Sequence, residues 1–246
     1  MENQNKQGGV VWMLSTFALI GVLVGLGISS LDGGSSGQTN ITGPSADTQD
    51  QNYELPTVDD DPVMGDESAP VTMIVFSEYE CPYCQRFETE TFSSIKADFI
   101  DTGKVKLVYR DYPLPIHDKA HLAAEAGECA SDSVSYWDYQ AKLIEKYTEW
   151  SEYTGEIKEL FSDYAKELGV DYDTFYACLE DGTYYDEVES DMTDARAAGV
   201  MGTPSFFIND EKVMGALPYE DYADQNGEMQ EGFKSILTRI YEEATK

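Results

Sequence analysis

A chain of 246 residues with 47 acidic and only 16 basic side chains carries a formal charge of −31. That balance speaks against nucleic acid as a partner, because phosphate contacts need clustered Lys and Arg. The acids are spread along the chain. This fits a surface adapted to high salt, where screening acts over about 3 Å at 1 M; an acidic face that selects basic substrates is the other reading.

Residues 1–9 form a short leading tail, and Val10 to Ile28 is an uncharged apolar run of 19 residues. Such a run is long enough to cross a bilayer as one transmembrane helix. It is expected to remain as a signal anchor, although Ser29 and Ser30 also suit a signal-peptide cleavage site. The tail holds Lys6 against Glu2, and no Lys or Arg comes after it until Arg86. The orientation expected is a cytoplasmic tail, with the bulk of the chain outside the cytosol in a single-pass membrane arrangement. Residues 29–55 are rich in Gly, Ser and Thr and read as a flexible linker. They include the sequon Asn40-Ile41-Thr42. The remaining stretch, 56–246, has the size of one domain with one core.

Asp59-Asp60-Asp61 before Pro62 lacks calcium-loop spacing and reads as a solvated turn. The apolar run Val71-Thr72-Met73-Ile74-Val75-Phe76 reads as a buried strand, and Gln85 to Ile100 repeats apolar residues at helical spacing. Between them stands Cys81-Pro82-Tyr83-Cys84. A strand-to-helix turn puts the first sulfur at a helix N-terminus, where unpaired N–H groups and the helix dipole favour a thiolate. The second sulfur lies within reach for a small disulfide, and Pro82 suits a first helical turn. This is redox chemistry; the competing reading is a zinc half-site, for which Cys129, Cys178, His117 and His121 are scattered candidates. No metal is expected, and no flavin, nicotinamide or other cofactor motif is present.

Lys104 to Arg110 alternates like a strand. A helical block then runs from about 115 to 198, with segments His117 to Ala130, Trp137 to Tyr147, Glu156 to Leu168, Asp173 to Leu179 and Tyr184 to Ala198. Gly169 and Gly182 mark stops. Ser205-Phe206-Phe207-Ile208 and Glu211-Lys212-Val213-Met214 predict a hairpin, and a final amphipathic helix is expected from Met229 to Glu242. The order is that of an α/β thioredoxin fold with a helical insertion. His117 is expected to cap or pack, with redox tuning as the alternative, and Tyr112 and Tyr136 to be filler.

Three segments together resemble the DsbA-like branch of the thioredoxin superfamily. They are Phe76 to Cys84; Pro115-Ile116-His117 with Ala123 to Ala130; and Ala195 to Val200 with Gly202-Thr203-Pro204-Ser205-Phe206-Phe207-Ile208. The resemblance covers about residues 60–220. It implies a thiol–disulfide oxidoreductase with Cys81 as nucleophile and Cys84 as resolving thiol, and a cis peptide at Thr203-Pro204 beside them for pairing with substrate backbone. It also implies a structural disulfide between Cys129 and Cys178, a link that stabilises by about 3–4 kcal/mol on the loop-entropy argument. The partners implied are cysteine-containing secreted or unfolded proteins and a quinone-linked membrane partner that restores the disulfide.

Within the motif, Pro82 and Tyr83 are the redox-tuning positions. Tyr83 brings no positive charge, so a milder oxidant is expected than with His there. Glu78 and Glu80 would oppose a thiolate, with strand alternation and solvent limiting them. The position at which thioredoxins carry a buried acid holds Val75, which puts their proton relay in doubt.

Overall fold

The computed structural model describes residues 53–131 and 136–246. The tail, the apolar run 10–28, the sequon and nearly all of the linker expected at 29–55 lie outside the described residues. Among those described, no helix is long and apolar enough to cross a membrane.

Five strands form one sheet in the order β1-β3-β2-β4-β5. They are β1 (Val63–Met64), β2 (Val71–Ser77), β3 (Val105–Asp111), β4 (Ser205–Ile208) and β5 (Glu211–Met214). β2 and β3 run parallel, with Val75 opposite Tyr109, Phe76 opposite Arg110 and Ser77 opposite Asp111. The other pairings are antiparallel.

The period of two along a strand sorts side chains onto two covered faces. Val71, Met73 and Val75 join Val105, Leu107 and Tyr109 in the larger core, while Ile74 and Phe76 join Val108, Phe207, Ala195 and Ala198 on the other face. Because both faces are covered, the strands read as near-continuous apolar runs.

The chain leaves β2 and enters a long helical run, α1, with α-helical turns at Pro82–Phe87 and Ser93–Ile95 and π turns at Glu88–Phe92 and Lys96–Ile100. Phe87 packs against Phe206 and Phe233 with ring centroids 4.8 and 5.5 Å apart, which clamps α1 onto the sheet. Burying a side chain of that size stabilises by roughly 1.5–3 kcal/mol.

The insertion is helical as expected: α2 (Ala120–Ser131), α3 (Tyr136–Glu145), α4 (Tyr147–Ser151), α5 (Ile157–Glu167), α6 (Tyr172–Asp181) and α7 (Tyr185–Ala197). Asp171 caps α6 by accepting from the Thr174 N–H at 2.9 Å, and Gly182 ends it with φ of 60°, a left-handed conformation natural to glycine. A disulfide joins Cys129 on α2 to Cys178 on α6, with Cα atoms 6.1 Å apart.

The sequence expectations need correction in three places. The final helix, α8 (Phe233–Ala244), starts later than Met229, because β7 (Met229–Gln230) pairs with β6 (Tyr222–Ala223) and Gly232 takes the cap position. The helix expected over 137–147 is broken at Lys146 into α3 and α4. Asp61 is no solvated turn residue: it is buried beside Arg110, whose Nε lies 2.9 Å from Asp61 Oδ2. Arg110 is itself 1% exposed, donating from Nε to Asp191 Oδ1 at 2.7 Å and from Nη2 to Asp194 Oδ2 at 3.0 Å.

Candidate active site

β2 ends at Ser77 and α1 begins at Pro82, so Cys81 occupies the helix cap, in extended conformation at φ −69° and ψ 122°. Pro82 opens the first turn, where its missing N–H costs nothing. Cys84 falls one turn in, facing the core. The two cysteines are 4% and 2% exposed and are a free dithiol in this structure.

The loop that returns from α7 to β4 crosses over Cys81. Its Thr203–Pro204 peptide is cis, and Cys81 Sγ lies 3.4 Å from the Thr203 carbonyl oxygen, to which it donates when protonated. The loop is tied down on either side of the proline. Ser205 Oγ donates to the Gly202 carbonyl at 2.6 Å, and the Pro204 carbonyl accepts from the Gly215 N–H at 2.9 Å.

The two thiols are pushed apart electrostatically. Cys81 falls to about 5, chiefly through the hydrogen bond from Cys84 and against the cost of burial, with help from Thr203 and the backbone N–H groups of Cys84 and Tyr83. Burial raises the Cys84 thiol well above its ordinary range, and its bond to Cys81 adds to that. A thiolate at the helix start and a protonated partner beneath it are the arrangement that separates attacking from resolving sulfur.

Pro82 and Tyr83 are solvent-facing, Tyr83 being 59% exposed. The Arg86 guanidinium lies 5.2 Å from the Tyr83 ring centroid. Its Nη2 donates to the Ala216 carbonyl at 2.9 Å. Lys119, whose backbone N–H bonds Glu80 Oε2, donates from Nζ to the carbonyls of Trp150 and Ser151. Both cations are therefore directed at backbone oxygen. The thiolate rests on hydrogen bonds.

A match to the thioredoxin family extends over residues 57–225. The chain belongs to that family. It is 32% identical over 170 residues to disulfide bond formation protein D of Bacillus subtilis, an alignment covering 68% of this chain and 75% of the relative. The crystal structure of oxidised BdbD from Bacillus subtilis superposes with a TM-score of 0.64 at 27% identity, covering 77% of this chain and 97% of that one. Wolbachia pipientis alpha-DsbA1 gives a TM-score of 0.60 at 25% identity, covering 78% and 94%. A different kind of relative, a sodium/proton antiporter of Salinispora arenicola, is 31% identical over 164 residues, which is 66% of this chain but only 24% of the antiporter. These likenesses make the chain a DsbA-like thiol–disulfide oxidoreductase.

In this DsbA-like enzyme the structure brings Cys81, Cys84, Thr203 and Pro204 together, and it sets the Cys129–Cys178 disulfide apart in the helical insertion. Val75 is packed in the core. Tyr136 is in the core too, and its hydroxyl shares a hydrogen bond of 2.8 Å with that of Tyr79. Tyr112 reaches the Val200 carbonyl at 3.4 Å.

Two site residues correct the sequence reading. Glu78 is 2% exposed instead of solvent-moderated, because β2 has ended and strand alternation no longer governs it. His117 does more than cap or pack, since its Nδ1 is hydrogen-bonded to Glu78 Oε1. A carboxylate and an imidazole 39 residues apart gave no local signal of pairing.

Proposed function

We propose that this enzyme inserts disulfides into cysteine-containing secreted or unfolded proteins outside the cytosol, tethered to the membrane through the segment 10–28. The observation that carries the direction of the reaction is the placement of Cys81 at the helix start beside a buried Cys84, which depresses the Cys81 thiol to about 5 and raises that of Cys84. A stabilised thiolate favours the reduced enzyme and so makes its disulfide oxidising.

In the oxidised enzyme a substrate thiolate attacks Cys81 Sγ. The Cys81–Cys84 bond breaks, a substrate–Cys81 bond forms, and Cys84 leaves as a thiolate that takes a proton. A second substrate thiolate then attacks the substrate sulfur of the mixed disulfide. The substrate leaves oxidised, and Cys81 departs as the stable thiolate with two electrons gained by the pair. Thr203 and Pro204 offer the backbone edge on which an extended substrate lies. The electrons pass on to a quinone-linked membrane partner, which restores the disulfide. The apolar run 10–28 supports the membrane reading, and the Cys129–Cys178 disulfide fits an oxidising compartment.

The test is disulfide transfer from the oxidised full chain to a reduced, unfolded protein. Transfer is expected from the wild type and is lost in both Cys81→Ala and Cys84→Ala, neither of which can form the disulfide that is handed on. Wild-type failure, or undiminished transfer by Cys81→Ala, would contradict the reading.

A further inference from the structure

Glu78 lies between the end of β2 and Cys81, and its two carboxylate oxygens have different surroundings. Oε1 is bound by His117, whereas Oε2 is enclosed with no hydrogen-bond partner. The groups facing it come from three places. Cys81 and Glu80 belong to its own segment, His117 to the loop after β3, and Tyr147 to α4. Glu80 is already engaged: its Oε2 accepts from the Lys119 N–H at 2.7 Å and its carbonyl from the Tyr147 hydroxyl at 3.1 Å. The Glu78 backbone N–H bonds to the Cys84 sulfur. Among the described residues no Lys or Arg forms an ion pair with Glu78. The His117 side chain, 21% exposed, connects it to solvent.

We propose that Glu78 and His117 form a redox-linked proton carrier, in which Glu78 takes up a proton when the Cys81–Cys84 disulfide is reduced and releases it through His117 when the disulfide re-forms. The inference rests on Cys81 and Cys84 being the working redox pair. Reduction by two electrons turns the disulfide into a Cys81 thiolate and, with one proton, a Cys84 thiol. That creates a negative charge beside a buried carboxylate that has no Lys or Arg partner among the described residues, and protonating Glu78 relieves the repulsion. Oxidation removes the thiolate, Glu78 ionises, and the proton leaves.

Burial pushes the Glu78 carboxyl up to about 7; the His117 bond opposes this, and the Cys81 charge adds to it. The group therefore titrates where the enzyme would use it. Glu78 acts through Cys81 and makes no contact with substrate in this scheme.

The test is the reduction potential of the Cys81–Cys84 pair in the full chain, equilibrated with glutathione buffers across pH. One proton per two electrons changes the potential by about 30 mV per pH unit, and two protons by about 60 mV. Above about 5, where Cys81 is a thiolate, and below about 7, where Glu78 gains its proton, the wild type is expected to exceed the one-proton slope; beyond that it returns to one proton. Glu78→Gln is expected to hold the one-proton slope over that whole window, and to steepen only below about 5, where Cys81 itself takes a proton. It also becomes more oxidising on the alkaline side by about threefold to tenfold in equilibrium constant, the span of half a unit to one unit of pKa. His117→Ala moves the steep region to higher pH, because Glu78 loses the bond that lowers it.

Parallel slopes for wild type and Glu78→Gln would overturn the proposal while leaving the oxidoreductase intact. Failure of the pair to equilibrate with glutathione at all would overturn both. Should Glu78→Gln not fold, redox-difference infrared spectroscopy of the wild type decides. A protonated-carboxyl band gained on reduction near neutral pH supports the carrier, and its absence refutes it.

Discussion

Two buried polar clusters hang from the same ends of β2 and β3, and they are built on opposite principles. Around Arg110 several acids gather on one cation, although Arg110 Nη1, Asp61 Oδ2 and Asp111 Oδ1 have no hydrogen-bond partner. The guanidinium meets Asp191 at 2.6 Å and Asp194 at 3.0 Å, the Asp111 N–H bonds Asp191 Oδ2 at 2.7 Å, and the arginine lies 5.5 Å from the Phe76 ring centroid. Asp61 is pushed up to about 9 by burial and by Asp191, against Arg110, so near neutral pH it holds a proton. Around Cys81 the nearby cations are turned to backbone carbonyls, and Glu78 keeps an unpartnered oxygen. The first cluster is centred on a cation and serves the fold. The second is left short of compensation, which is where a change of charge does chemical work.

Breaking the Arg110 cluster should have the largest effect. Arg110→Met leaves Asp191 buried without its cation and is expected to cost about 3–5 kcal/mol in denaturant unfolding. Cys81 should titrate unchanged, because Arg110 lies on the other face of the sheet; a shift of a whole unit there would dissolve the contrast. Asp61→Asn should be the mild counterpart, within about 1 kcal/mol below pH 3.8, where Asp61 is protonated in both the folded and the unfolded chain. Its pH dependence is the sharper readout. Asp61 has a folded-state pKa raised from 3.8 to about 9, so its contribution is full below 3.8 and is lost as pH rises through about 9. Asp61→Asn should remove that alkaline loss and unfold less readily than wild type in this range.

The chemistry was more legible in the sequence than the charge arrangement. The turn Cys81-Pro82-Tyr83-Cys84 sits between a period-two run and a helical one, and those local patterns place it on a strand-to-helix turn. The hairpin of β4 and β5 and the stop at Gly182 are equally local. The resemblance at Thr203-Pro204 brought in a loop more than a hundred residues away. Asp59-Asp60-Asp61 defeated local reading, since a run of acids before a proline looks solvated until Arg110 and Asp191 fold over it. Arg110 ends a strand with alternating charge, which suggests exposure; α7 covers that face and buries it. Glu78 stands one residue past β2, where alternation stops carrying information, and its partner His117 arrives from a separate loop. Pairing between distant ionisable groups is a property of the closed fold, and a single chain read in windows does not contain it.

The central claim is that Cys81 is a thiolate under working conditions while Cys84 is not. The direct measurement is the pH dependence of alkylation of the reduced full chain, with the modified cysteine identified by mass. Cys81 should react first, with a midpoint near 5. The sign comes from linkage: a depressed folded-state pKa stabilises the reduced protein above the ordinary thiol value, and that stability is lost as pH falls through about 5. A midpoint near the ordinary 9.0, or first modification at Cys84, would contradict the account.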